Sequence, residues 1–154
     1  MEEQDRGKWD QRLIRRAQAF LARSAEGTVI SAFHLEAAIA CRHCTAKSYA
    51  ETDWPAILRL YDALLTVQCS PVYLLNRAIV VAQIEGPHAG IRALEEAGPD
   101  AALRHYHLFD ATLGEFYRRR GDLARARQHL EAARQKTNSL FDRELIDRRL
   151  AMCV

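Results

Sequence analysis

The 154 residues carry 22 Lys and Arg against 20 Asp and Glu, a formal net charge of +2, and 49% of them are hydrophobic. That excludes a disordered, charge-dominated chain and supplies apolar surface for a buried core, while so balanced a charge cannot by itself steer a polyanion. No run approaches the roughly 18 consecutive apolar residues of a membrane span, and the start MEEQDRGKWD lacks the basic and apolar regions of a secretory leader.

The expected compartment is therefore cytoplasmic, with Cys41, Cys44, Cys69 and Cys153 as reduced thiols. Leu13, Ile14, Ala17, Phe20 and Leu21 recur at spacings of three and four, which predicts a first helix over 9–25, closed by Gly27. Ser31 is placed to cap a second, with Leu35, Ala38, Ile39 and Ala40 as its buried stripe and an end near Cys44. TAKSYAETD reads as a polar loop, after which Asp53 and Pro55 open a third helix carrying Ile57, Leu58, Tyr61, Leu64 and Leu65.

Ser70-Pro71 starts a fourth helix that reaches about Glu85, because proline at the first helical position loses no hydrogen bond. Gly86-Pro87 breaks it, a fifth helix covers about 88–97, and Gly98-Pro99 breaks that. A sixth helix is predicted over 102–120 and a seventh over 122–136. Ser139 in SLFD then begins an eighth through a capping-box-like start, with Leu140, Ile146 and Leu150 as one apolar stripe. No strand-like alternation competes. The expected class is all-α, an α-α superhelix in one domain over 1–154: a flanking helix, hairpins over 31–67, 71–97 and 102–136, and a capping helix over 140–152.

The stretch LGEFYRRRGDLARARQHLEAA at 113–133 sharpens this picture, since its helical period stops at Gly121-Asp122 and restarts at once. So short a connection makes the two helices antiparallel, and Gly114 and Ala126 allow their backbones to approach closely. Aligning HLEAAIACRH, LLNRAIVVAQ and FDATLGEFYR puts Ile39, Ile79 and Gly114 in one column, at intervals near the roughly 34-residue period of the tetratricopeptide repeat. Leu113, Gly114, Tyr117, Gly121, Asp122, Ala126, Leu130 and Ala133 resemble that repeat's signature. The other two copies are degenerate, with isoleucine where the repeat has its close-packing glycine, so their helices should sit slightly farther apart.

Read in order, EEQDRGKWD, FHLEAAIACRH, DWPAILRLYDALL, SPVYLLNRAIVVAQIEGPHAG and YHLFDATLGEFYRRRGD resemble the C-terminal extension of a group of bacterial RNA polymerase sigma factors. These are the extracytoplasmic-function type that carries tetratricopeptide repeats. The resemblance covers nearly the whole chain, but nothing in it corresponds to the family's helices that bind polymerase and read the −10 and −35 promoter elements. It implies a regulatory or scaffolding role in transcription initiation without catalysis. The implied partners are the sigma domains, RNA polymerase or a signalling protein, with no direct DNA contact, no membrane and no cofactor. The alternative is a stand-alone helical-repeat adaptor that binds a peptide or protein unrelated to transcription.

Tetratricopeptide arrays present repeat positions 5, 9 and 12 to a concave groove. Carried onto this sequence, the resemblance implies Glu36, Asn76 and Ala111, then Ala40, Val80 and Glu115, then His43, Gln83 and Arg118. Arg77 follows Asn76. Asn and Arg at the groove's centre suit a peptide backbone or a carboxylate, which they can hold by directed hydrogen bonds.

Other constellations have plainer readings. Cys41-Arg42-His43-Cys44 offers soft metal ligands, yet no second pair follows at a finger-like spacing, and small thiols on the apolar face of a helix pack as core. His105, His107 and Asp110 lack an accompanying nucleophile and read as packing near a helix start. The Arg118-Arg119-Arg120 triplet and the series Arg125, Arg127 and Arg134 are the best candidates for a nucleic-acid patch. The triplet splays around its helix, however, Glu115 with Arg118 and Glu131 with Arg134 are spaced for intrahelical pairs, and the series reads as a solvated charged face. Trp9 and Trp54 read as apolar anchors between hairpins, with an interface role as the minority reading.

Overall fold

The computed structural model describes residues 4–27, 29–96 and 105–153, and all regular structure among them is helical. A 3₁₀ turn at Arg6–Lys8 precedes α1 (Gln11–Ser24), α2 (Ala32–Thr45), α3 (Trp54–Val67) and α4 (Pro71–Glu85). Then follow α5 (Pro87–Glu96), α6 (His107–Arg120), α7 (Leu123–Lys136) and α8 (Leu140–Ala151). The expected break at Gly98-Pro99 and the expected helix start at 102–104 lie outside the described residues. Two compact units are formed, Met1–Tyr73 and Leu74–Val154.

The helix boundaries follow from local chemistry. Asp10 accepts from the backbone N–H groups of Arg12 and Leu13 at 2.9 and 3.1 Å, so α1 begins two residues later than the sequence pattern suggested. Trp9 instead closes the 3₁₀ turn. Asp53, Asp122 and Ser139 accept from the N–H groups of Ala56, Arg125 and Asp142, starting α3, α7 and α8 at the expected places. Tyr106 is the extended residue before α6, which shortens the sixth helix relative to expectation.

In the first unit, Leu35 and Ile39 of α2 pack as core with Ala56, Ile57 and Leu64 of α3. Ala40 is exposed, so α2's buried stripe is narrower than the sequence implied. The helix α1 buries none of its residues, and Leu13 and Phe20 stand 53% and 60% exposed. Arg6, only 7% exposed, clamps the loop after α2. Its Nη1 donates to the carbonyls of His43, Ala46 and Ser48 at 2.9–3.0 Å, and its Nη2 to Thr52 Oγ1 at 3.3 Å. One guanidinium thus satisfies the carbonyls that a helix end leaves without partners. The supposed polar loop is therefore an ordered turn with a buried Thr52.

In the second unit, α6 and α7 form the tight hairpin expected from 113–133. Gly121 has φ +86°, its N–H reaches the Arg118 carbonyl, and the Asp122 N–H reaches that of Tyr117, both at 3.0 Å. Gly114 lies so close to α7 that a Cβ there would meet Leu130 Cγ at 2.7 Å and the Ala126 carbonyl at 3.2 Å. The preceding helix pair lacks that glycine at Ile79 and obtains its close approach from the opposite helix. A Cβ at Gly90 of α5 would meet Ala82 Cβ of α4 at 2.6 Å and Phe116 of α6 at 2.8 Å. Leu94, Ala126, Leu130 and Ala133 fill this core almost without exposure. Leu140 is 77% exposed, so α8 attaches through Ile146 and the half-buried Leu150.

Candidate functional site

The second unit contains a cavity of about 210 Å³ walled by α4, α6 and α8, the first helices of its two hairpins and the closing helix. Leu75, Asn76 and Ile79 line it from α4, and His107, Leu108, Ala111 and Thr112 from α6. The remaining wall is Asp142, Leu145, Ile146 and Arg149 of α8. Asn76 and Ala111, both implied groove residues, thus meet in one hollow.

Polar groups converge on this hollow over an apolar floor. His107 Nε2 lies 3.3 Å from Asp142 Oδ2 without hydrogen-bond geometry. Arg149 Nε lies 3.9 Å from Glu115 Oε2, and the same carboxylate takes a two-pronged contact from Arg118 at 3.0 and 2.8 Å. Thr112 donates its hydroxyl to the Leu108 carbonyl of its own helix at 2.7 Å. The lining therefore combines an amide, an imidazole, a carboxylate and a guanidinium around a shallow hollow, groups suited to directed hydrogen bonds with a polar chain.

The other implied groove residues distribute unevenly. Glu115 and Arg118 are engaged with each other beside the cavity. Arg77 and Gln83 are half-buried on α4 and do not line it, and Val80 is buried at 3% exposure, which removes it from any surface. Glu36, Ala40 and His43 belong to the first unit. There Glu36 accepts the Tyr73 hydroxyl, which raises that hydroxyl's pKa. His43 packs edge-on to Trp54 with ring centroids 5.5 Å apart. Burial pushes the His43 imidazole below its ordinary pKa, and the positive charge of Arg6 adds to the effect.

Sequence reasoning overlooked His107, Asp142 and Arg149 as cavity residues. The signal for α8 was present, because Asp142, Leu145 and Arg149 are spaced three and four apart and share one helix face.

Two other readings need correction. Cys41 and Cys44 are half-buried and line a groove between α1 and α2 instead of packing with Leu35 and Ile39, while His43 points to Trp54. Among the described residues no three His, Cys, Asp or Glu side chains converge as a metal cluster. Arg134 bonds across to Asp147 of α8 at 2.6 and 3.2 Å instead of pairing with Glu131 in its own helix. Arg120 and Arg125 lie over the Tyr117 ring and Arg127 donates to the Cys153 carbonyl, so much of the arginine series is used within the unit. Both tryptophans act inside the first unit, Trp9 beneath Arg6 and Trp54 against His43 and Tyr49.

No helix among the described residues is long and apolar enough to cross a membrane. No protein-family model matches the chain, and no solved structure matches it. The chain is similar to a curated relative, the uncharacterized protein R00370 of Rhizobium meliloti (strain 1021), with 33% identity over 133 residues. The match covers 86% of this chain and 31% of the relative, so the chain spans about a third of the length of the protein it resembles.

Proposed function

We propose that this chain is the interaction region, without chemistry of its own, of an extracytoplasmic-function RNA polymerase sigma factor that carries tetratricopeptide repeats. It acts in transcription initiation by holding the sigma domains, the polymerase or a signalling protein, and it leaves promoter contact to other residues. The observation that carries this reading is the α6–α7 hairpin, with Gly114 against Leu130 and the left-handed Gly121 at its turn. The cavity shared by Asn76 and Ala111 on successive first helices adds support. So does similarity to a relative about three times as long, which suits a chain that works as one region of a larger protein.

The test begins with the coding sequence in frame with or beside this one, which the proposal expects to specify sigma-type helices. Those helices, expressed with a tag, should capture the chain. Changing Asn76, which lines the cavity, to Ala should abolish capture while leaving the melting temperature unchanged. Absence of sigma-type helices there, or capture undiminished by this change, overturns the reading.

A further inference from the structure

The first unit carries a second surface, which shares only Ala40 with the groove residues that the sigma-factor resemblance implies. Between α1 and α2 runs a hollow of about 360 Å³ lined by Leu13, Ile14, Ala17 and Leu21 on one side and by Ala37, Ala40, Cys41 and Cys44 on the other, with Gln18 as its one amide. Apolar surface continues past its connector end. Phe20 of α1 and Phe33 of α2 are 60% and 80% exposed, and Val29 and Ile30 in the connector are 77% and 59% exposed. At 100° per residue Phe33, Ala37, Ala40, Cys41 and Cys44 share one face of α2, so this is a continuous strip and not scattered side chains. Leu13 to Leu21 is about two helical turns. A strip of that length with small residues along its floor is shaped for the ridge of another helix.

The α1 border of the strip is basic. The helix α1 carries Arg12, Arg15, Arg16 and Arg23 and no acidic residue. Among the described residues none of these four is in an ion pair. Arg16 and Arg23 fall on the wheel beside Phe20 and surround it with Ala19, so they flank the strip along its α1 edge.

We infer that the α1–α2 groove docks an amphipathic helix of a partner protein whose apolar face is bordered by acidic residues. The groove supplies the apolar contact, and Arg16 and Arg23 fix the orientation by meeting the acidic border. A second copy of this chain is a poor occupant, because two-fold pairing through α1 would set these arginines against each other. A flat anionic membrane would meet the arginines but leave the recess between the helices unfilled.

The probe is a pair of synthetic 16-residue helices with the same leucine stripe, one bordered by Glu and one by Lys, followed by fluorescence anisotropy against the full chain. The Glu-bordered peptide should bind at least tenfold more tightly than the Lys-bordered one, and should protect Cys41 and Cys44 from alkylation. Ala17→Trp, which fills the groove, should abolish binding. Should that variant misfold, the exposed pair Arg16→Glu and Arg23→Glu keeps the test open, because it should invert the preference toward the Lys-bordered peptide. Equal binding of the two peptides, binding of neither, self-association removed by Ala17→Trp, or uptake onto phosphatidylserine vesicles without peptide binding overturns the inference. None of these outcomes bears on the sigma-factor reading, which is tested through Asn76.

Discussion

Gly114 of α6 faces Leu130 of α7 so closely that a Cβ at residue 114 would stand 2.7 Å from Leu130 Cγ and 2.9 Å from its Cδ2. Leu130 is fully buried and the Ala126 carbonyl closes the other side, so neither neighbour can move away freely. Gly114→Ala gains up to ~1 kcal/mol of helix propensity, but overpacking costs about 1–3 kcal/mol, and the clash should win. The urea midpoint of Gly114→Ala should fall. In a Leu130→Ala background, where space has been made, the same change should be neutral or stabilising, and equal losses in both backgrounds would refute the contact.

Arg6 holds together a turn that its own helix cannot. Arg6→Met removes the donors to three carbonyls and Thr52 at once, which should lower stability by about 2–4 kcal/mol, since leaving buried acceptors unpaired costs ~1–3 kcal/mol each before relaxation. Arg6→Lys should recover little, because an ammonium cannot present the planar fork. The loss of a positive neighbour should also raise the His43 pKa, which burial will still hold below its ordinary value. Thermal melts and a His43 titration by NMR check both parts.

Asp110 accepts from His129 Nδ1 at 3.0 Å and from Lys136 Nζ, tying α6 to the middle and the C-terminal end of α7. Burial works against its charge, but the hydrogen bonds from His129 and Lys136 and their positive charge outweigh it and hold the carboxyl below the usual range. A depressed folded pKa means stability that is present above the unfolded value of about 4 and is lost as pH falls through the folded value. The urea midpoint should therefore decline from about pH 4 downward. Asp110→Asn should be less stable at pH 7 and should flatten that decline. An Asn variant with the same acid profile would sink this assignment.

Thiol accessibility separates the four cysteines. Cys69 is exposed, Cys41 and Cys44 are half-buried at the groove, and Cys153 is 4% exposed with its thiol on the Arg149 carbonyl at 3.3 Å. Alkylation followed by mass spectrometry should label Cys69 first, then Cys41 and Cys44, and Cys153 only on unfolding. Labelling of Cys153 at the rate of Cys69 would contradict the packing of the chain's end against α8.

The sequence by itself determined the helix boundaries at Asp53, Asp122 and Ser139 and the turn at Gly121. Each of these is a bond between a side chain or an N–H and a backbone group at most five residues away, so the information is local. The Glu115–Arg118 pair was legible for the same reason. Tertiary structure alone decided where longer side chains found their partners. Arg134 had Glu131 one turn behind it but took Asp147 because α8 lies alongside. Arg6 and Asp110 reach across 37 and 19 residues to groups no spacing rule connects.

The same holds for faces: an apolar residue every third or fourth place says that a helix has an apolar side, but only the neighbouring elements settle whether that side is buried, as in α3, or left open, as in α1. The cavity around Asn76 belongs to this second kind of information, because it is made by three helices whose residues lie up to about seventy positions apart in the chain.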